Sequence, residues 1–453
     1  VEYYVDGIPY SIDNSSPYTC DYSGEGAVTI IVRPFYAGSD LDIIPTEAAI
    51  YYVRTDGDNG NDGLTNSSGG AWETIDYAAS TAEAGNTVYV NDGTYNETVV
   101  VDNTGTSDNR IVFEAINHKQ AILDAPTPST GTAFTLTGKD YITITGFVIT
   151  DYDIGITLTG GSDYNVIDSC KIYNNETHQV NIYDGSDYNT VRADSIFGSA
   201  LGESGDRRGE VGVRVYNSSY NLIEYCTIYN MFDDYANGDG IGFFQDSDYN
   251  IARYNTIHHC PDDGLDGWST ESSGNNGSYN LAEYNYVYKI GYDEDDAENL
   301  GGNGVGMKTN YETDNFIMRY NRVRQCVTKG ISDEDSDGDN TFYHNVTWNN
   351  GNNWEIGAGD NPDLLNNVSC GVNNSSGYFG TKGNVNQTNL TTAEAYFVDT
   401  TDFELADDSP LIDAGNFLTA CNGGSTGTSI TLDSAKYFID GYGLITGDQI
   451  QIA

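Results

Sequence analysis

Positive charge is what this chain lacks most: 19 Lys and Arg stand against 68 Asp and Glu in 453 residues, a formal charge of −49. Nothing on that scale could neutralise a phosphate backbone, which excludes nucleic acid as a partner and argues equally against anionic membranes. Proline is scarce, at 9, and no apolar run approaches the ~18 residues of a membrane-spanning helix. Seven cysteines are too few for a disulfide scaffold, and their number is odd. The opening residues, VEYYVDG, lack the basic and then apolar pattern of a secretory signal, so any such segment is expected upstream or already removed. The acidity itself reads as a solvated surface suited to high salt or divalent cations. Whether part of it builds metal sites has to be argued locally.

What is abundant is turn and strand chemistry. The chain holds 52 Gly and 36 Tyr, with many Asn and Asp, and it is too long for one ordinary compact core. Segments of one type recur: Asp163-Tyr164-Asn165-Val166-Ile167, Asp187-Tyr188-Asn189-Thr190-Val191, Ser219-Tyr220-Asn221-Leu222-Ile223, Asp248-Tyr249-Asn250-Ile251-Ala252 and Ser278-Tyr279-Asn280-Leu281-Ala282. Asp314-Asn315-Phe316-Ile317 and Asp339-Asn340-Thr341-Phe342 continue the series, which puts the repeat asparagines 24, 32, 29, 30, 35 and 25 residues apart. Most are followed by a second short strand, such as Cys226-Thr227-Ile228-Tyr229.

The segments alternate with period two and are broken by Gly, Asn and Asp, unlike helical repeats. One such unit cannot bury its own apolar face, so each coil must stack on the next at roughly 4.8 Å. The expected fold is all-β, a right-handed parallel β-helix, with the asparagines bonding coil to coil from inward turns. A β-propeller would need a four-strand blade period, which is absent. Cys170 and Cys226, each five residues after a repeat asparagine, read as buried stacked residues.

Three regions are expected. Residues 1–47 form a β segment whose pieces Val1–Gly7, Ser16–Tyr18 and Val28–Pro34 resemble the later strands of bacterial immunoglobulin-like domains. Residues 48–415 form the β-helix, capped by an amphipathic helix over Ala71–Ala79 with Trp72, Ile75 and Ala79 on one face. Residues 416–453 form a C-terminal β segment, after a stretch from Phe403 to Gly415 that resembles the closing segment of secreted β-helix proteins. Both ends read as pieces of a longer chain, and the N-terminal segment could self-associate by strand addition. Sequons at Asn96, Asn217, Asn345 and Asn389 permit glycosylation in an extracellular or cell-surface setting.

Chemistry concentrates where three coils carry unusual residues around a strand glycine: Gly238-Asp239-Gly240-Ile241, Asp262-Asp263-Gly264-Leu265-Asp266 and Gly306-Met307-Lys308. With Gly240, Gly264 and Gly306 in register, Asp266 and Lys308 share one face of adjacent coils, and Asp239 stacks on Asp263. Four carboxylates so close would repel without a partner, and a hard divalent cation with 6–8 oxygen ligands answers that need. His258 and His259 lie nearby in sequence, but an oxygen-rich cluster favours Ca²⁺ over a transition metal. Of the 19 basic residues, 12 fall between Lys171 and Lys329, among them Arg207, Arg208 and Arg214. That concentration suits a locally positive site for a polyanion.

These residues resemble the active-site signature of the family-nine polysaccharide lyases, β-helical pectate lyases, and the likeness covers roughly residues 48–415. The resemblance implies that Asp239, Asp262, Asp263 and Asp266 bind calcium, and that Lys308 is the catalytic base. Leu265 stands where that family commonly has an aromatic residue, and the loop from Tyr292 to Asn303 is long and acidic; both bear on the substrate. The residues support β-elimination in a uronate polymer: a base removes the proton α to the carboxylate and the β glycosidic oxygen departs. An alkaline optimum follows if the aspartates dominate the Lys308 pKa. Two other readings stand beside this one: a structural or adhesive surface protein stiffened by calcium, and a hydrolase using paired aspartates, which needs no Lys308.

Overall fold

The structure, a computed structural model, describes residues 48–198, 210–232, 237–269, 277–293, 295–298, 302–311, 313–334, 339–357 and 362–370. It also describes 385–387, 407, 418–419, 432 and 434–448, and the strands Glu2–Val5, Ile8–Ile12 and Ile30–Arg33. The chain divides into two compact units, Val1–Glu47 and Ala48–Ala453. In the first unit the three strands form an antiparallel sheet with Glu2–Val5 in the middle.

The second unit is a stack of coils. Each full coil contributes one strand to each of three parallel sheets, two of twelve strands and one of ten. Two sheets are built from short strands such as Val166–Asp168 and Lys171–Tyr173, whose central residue alone faces inward. The third is built from longer strands such as His178–Tyr183. Inward positions stack like on like: Ile144, Ile167, Val191, Ile223 and Ala252 follow one another through the first sheet. They belong to one continuous apolar core along the solenoid.

The asparagines hold the coils together from inside. Asn165 donates its backbone N–H to Asn189 Oδ1 (2.8 Å), and the pattern repeats from Asn189 to Asn221, Asn221 to Asn250 and Asn250 to Asn280. These amides are buried, so each bond removes a polar group that could not be left unpaired. The column departs from the sequence alignment at one place. Ile317 pairs with Leu281, so Phe316 takes the asparagine position, and Asn315 aligns with the tyrosine before it. A second buried column, Asn255, Asn285, Asn321, Asn345 and Asn367, runs beside Cys226, which is itself buried as expected, like Cys170. Asn345 therefore cannot serve as a glycosylation site in the folded chain, whereas Asn96 and Asn217 are exposed; Asn389 lies outside the described residues.

The cap also differs in detail. The helix is Ile75–Thr81, because Thr74 closes its N-terminus by accepting the Tyr77 N–H. Trp72 lies before it and instead stacks on Tyr51, with centroids 4.5 Å apart, while Ile75, Ala78 and Ala79 bury the helix face. At the other end, residues 434–448 pack Tyr437 and Ile439 against Tyr343 and Leu365 on the outside of the first sheet. The stretch from Phe403 to Gly415 lies almost wholly outside the described residues.

Candidate functional site

Five strands of the long-strand sheet carry the site: β1 (Val211–Tyr216), β2 (Asp239–Phe244), β3 (Asp263–Ser269), β4 (Val305–Tyr311) and β5 (Lys329–Glu334). Their register pairs Arg214 with Gly242, Gly242 with Asp266, and Asp266 with Lys308, a single outward row across four coils. Glycine is required just before it. A Cβ on Gly240 would lie 2.5 Å from the Gly264 carbonyl oxygen, and one on Gly306 would lie 2.6 Å from that of Gly330. Strict alternation would turn Asp239 and Asp263 inward, away from the row. The pairing passes from Val211↔Asp239 to Val213↔Ile241 without a pair at the glycines, and Asp263 meets the row after all.

The five residues that the sequence singled out lie together, each less than a tenth exposed. The Lys308 amine contacts Asp263 Oδ2 and lies 3.5 Å from Asp266 Oδ1. Asp239 Oδ1 accepts the Asp263 N–H (3.0 Å), and Asp262 Oδ1 accepts that of Asn303. Carboxylate oxygens of Asp239, Asp262 and Asp263 lie within 4.8 Å of one another; Asp266 stands beside Lys308, outside that triad.

Burial, then repulsion from Asp263, Asp266 and Asp262, pushes the Asp239 carboxyl well above the usual carboxylate range. Burial raises Asp263 as well and pushes Asp266 up to about 8, with Lys308 pulling both back. Burial pulls the Lys308 amine down, yet attraction to Asp263 and Asp266 outweighs it and holds the amine above its ordinary value. One amine cannot balance four carboxylates. Asp263 Oδ1 is buried without a hydrogen-bond donor, and Asp266 Oδ1 has only the Lys308 amine at 3.5 Å. An all-oxygen donor set with excess negative charge and unsatisfied oxygens fits a hard divalent cation. His258 takes no part: it is stacked between Tyr229 and Tyr288 on the second short-strand sheet, and His259 bonds Asp296.

The cluster forms one wall of an open cleft of about 530 Å³, also lined by Glu210, Arg214, Tyr216, Phe244, Trp268, Asn303, Asn310 and Glu334. Arg214 lies over the Tyr216 ring at 4.4 Å and bonds Asn181 Oδ1. Sequence reasoning noted Arg214 only as one of many basic residues. Its position was legible, since it stands two residues past Gly212 as Lys308 stands two past Gly306. The aromatic wall was missed; Tyr216, Phe244 and Trp268 form the next outward row of the same register. The basic stretch does not converge. Arg214 and Lys308 reach the cleft, but Arg319 is buried against Glu283 and Asp448, and Lys329 pairs with Glu334 and Glu355. Arg322 and Arg324 belong to another sheet, and Arg207 and Arg208 lie outside the described residues.

Three parallel sheets wound into coils, with acids and an amine on the outside of one of them, define a parallel β-helix of the kind shared with polysaccharide lyases. The family described as Pel9A-like, right handed beta helix region, matches residues 51–384, and the chain belongs to it. Pectate lyase Pel9A is similar over 84% of this chain and 94% of its own, with 21% identity and a TM-score of 0.60. An alginate lyase from Paenibacillus sp. str. FPU-7 is similar over 63% of this chain and 96% of its own, with 18% identity and a TM-score of 0.52. No curated protein matches. Among the described residues no helix is long and apolar enough to cross a membrane.

Proposed function

We propose that this chain is a calcium-dependent polysaccharide lyase that acts outside the cell and cleaves a uronate-containing, pectate-like polymer by β-elimination. The observation that carries the reading is the Lys308 amine, held beside Asp263 and Asp266 in the wall of an open cleft. Lys308 takes the proton α to the sugar carboxylate, the electron pair forms the new double bond, and the glycosidic oxygen leaves from the β carbon. Asp263 and Asp266 then stabilise the ammonium that results. A calcium ion held by Asp239, Asp262, Asp263 and Asp266 would cancel charge that keeps Lys308 protonated and would offset charge growing on the substrate carboxylate. Arg214 supports the same reading, since its guanidinium can meet the carboxylate of a neighbouring sugar. Trp268 and Phe244, edge to face at 6.3 Å, supply ring surface for the pyranose.

A hydrolase reading fits less well. Paired glycosidase carboxylates stand roughly 5–5.5 Å or 6.5–9.5 Å apart, whereas this cluster is tighter and has an amine beside it. The test is ultraviolet absorbance of unsaturated uronate products from polygalacturonate or alginate. Wild type should produce the signal, chelator should abolish it, and calcium should restore it. Lys308→Gln should lower the rate by about 10³-fold or more while the fold remains intact. Reducing ends released without unsaturation, insensitive to chelator, would favour hydrolysis. Failure on every uronate polymer would favour a structural role.

A further inference from the structure

Along the solenoid axis the cleft has two unlike sides. The outward row through Lys308 reads Arg214, Gly242, Asp266, Lys308, Ser332 and Glu355, one residue per coil. The row beside it reads Tyr183, Tyr216, Phe244, Trp268, Asn310 and Glu334. Coils before Lys308 therefore present rings and an arginine, and coils after it present a serine and two glutamates. The rings also differ from others in this chain. Tyr164 and Tyr188 stack face to face at 4.9 Å and 7°, so those faces are covered. Among the described residues, Tyr183, Tyr216 and Phe244 make no such stack with one another. Phe244 meets Trp268 edge to face, and the Arg214 guanidinium covers Tyr216. Gly242 has a part in this, since a Cβ on it would run into the Phe244 ring. That ring lies back over the gap between Arg214 and Asp266 and makes a floor there. The charges divide in the same way. Arg214 donates to Asn181 Oδ1 at 3.1 Å, and among the described residues no carboxylate pairs with it. On the other side the one amine of Lys329 is shared between Glu334 and Glu355.

We propose that the cleft grips its polymer on one side of the scissile bond only: sugars over the Phe244 floor and at Arg214 are bound, and sugars beyond Lys308 are not. The inference rests on the lyase reading of the cleft and adds where the polymer is held. Arg214 and Lys308 are three strand spacings apart, about 14 Å. A pyranose is about as long as one spacing, so Arg214 meets a carboxylate two or three sugars from the one that Lys308 deprotonates. Between them a sugar lies against the Phe244 ring, whose apolar face suits the C–H face of a pyranose. A guanidinium stacked on Tyr216 and tied to Asn181 is already in place, so it loses little freedom on binding. Beyond Lys308 a uronate would face two carboxylates around a single amine, and like charges repel. That side suits a departing end. The ligand is therefore a run of consecutive uronates that ends close to the cut.

The experiment titrates the full chain carrying Lys308→Ala, with calcium, with oligogalacturonates from dimer to hexamer in a calorimeter. Affinity should rise about tenfold or more from dimer to tetramer and then level off. Adding Arg214→Gln should weaken tetramer and hexamer binding about tenfold or more, and dimer binding less than about twofold. Phe244→Leu should also weaken the tetramer more than the dimer, and the thermal midpoint of each variant should stay at that of its parent. Glu355→Gln, on the other side, should weaken binding at no length. With Lys308 intact, a hexamer should be cut near one end, and a label on its reducing end shows which. Tetramer affinity untouched by Arg214→Gln overturns the proposal, as does a hexamer cut mainly at its central bond. No binding at any length overturns it too. Either of the first two results from an active wild type leaves the lyase reading standing and removes this inference. A chain that binds through Arg214 yet cleaves no uronate polymer sinks the lyase reading alone.

Discussion

Asp194 occupies a place that is asparagine in the later coils of the second buried column. There, Asn255 accepts the Cys226 N–H and donates to the Ile223 carbonyl, and Asn285 accepts the Asn255 N–H and donates to the Ala252 carbonyl, each reaching back to the preceding coil. Asp194 accepts the Cys170 N–H at 2.6 Å, but its second oxygen is buried with no partner. Burial raises this carboxyl well above the usual range, so the folded chain holds the proton more tightly than the unfolded one. Its stabilising contribution is complete below the unfolded pKa of about 3.9 and is lost as pH rises through the raised folded value. Asp194→Asn supplies the donor without a proton to lose. The variant should be more stable by about 1–3 kcal/mol at pH 8, and the gain should shrink toward pH 4. Denaturant midpoints of both proteins at the two pH values measure it; equal midpoints at pH 8 would mean the carboxylate has found another partner.

At the scale of elements, outward rows decide what each sheet does. The alternating row on the first sheet forms ion pairs between successive coils: Arg192 with Asp168, Arg253 with Glu224, Arg319 with Glu283. Burial increases along it, from a half-exposed Arg192 to an Arg319 side chain only 5% exposed that also binds Asp448. Arg319→Met should therefore cost about 3–5 kcal/mol, because two carboxylates lose their partner in a desolvated place. Arg192→Met should cost less than about 1 kcal/mol. Thermal unfolding of the two variants tests the contrast, and similar losses would show that burial is not what sets the value. The coil repeat was legible because the asparagine columns and the strand alternation are both local patterns. Phe316 was misplaced by one residue because Asp314-Asn315 imitates the turn, and only pairing with Leu281 reveals the slip. The acids and Lys308 were legible because three glycines mark one register. Arg214 was marked by the same rule through Gly212 but was not picked out, and Trp268 was not legible, since only the pairing of its strand shows the Tyr216, Phe244 and Trp268 row.

The molecule stacks the coils of its second unit so that each pairs with its neighbours, and the stability of that unit is close to a sum of coil and interface contributions. Its charge of −49 works against every coil at once. Added monovalent salt should raise the thermal midpoint by several degrees between low ionic strength and about 0.5 M, as screening shortens the reach of that repulsion. A falling midpoint would mean that ion pairs outweigh the net repulsion. Surface chemistry divides by sheet among the described residues: one outward side carries the acids and Lys308, one a ladder of opposite charges, one a stack of rings. Which side a residue joins could not be read from its position in sequence alone, because consecutive strands turn to different sheets.

The central claim is that Lys308 and the four aspartates act together on one sugar. The most direct measurement is a crystal structure of Lys308→Ala with calcium and a uronate oligomer bound. The account predicts calcium ringed by oxygens of Asp239, Asp262, Asp263 and Asp266, a sugar carboxylate beside it, and the α proton of that sugar facing the space left by the lysine. An oligomer bound with that proton turned away, or calcium held elsewhere, would contradict it.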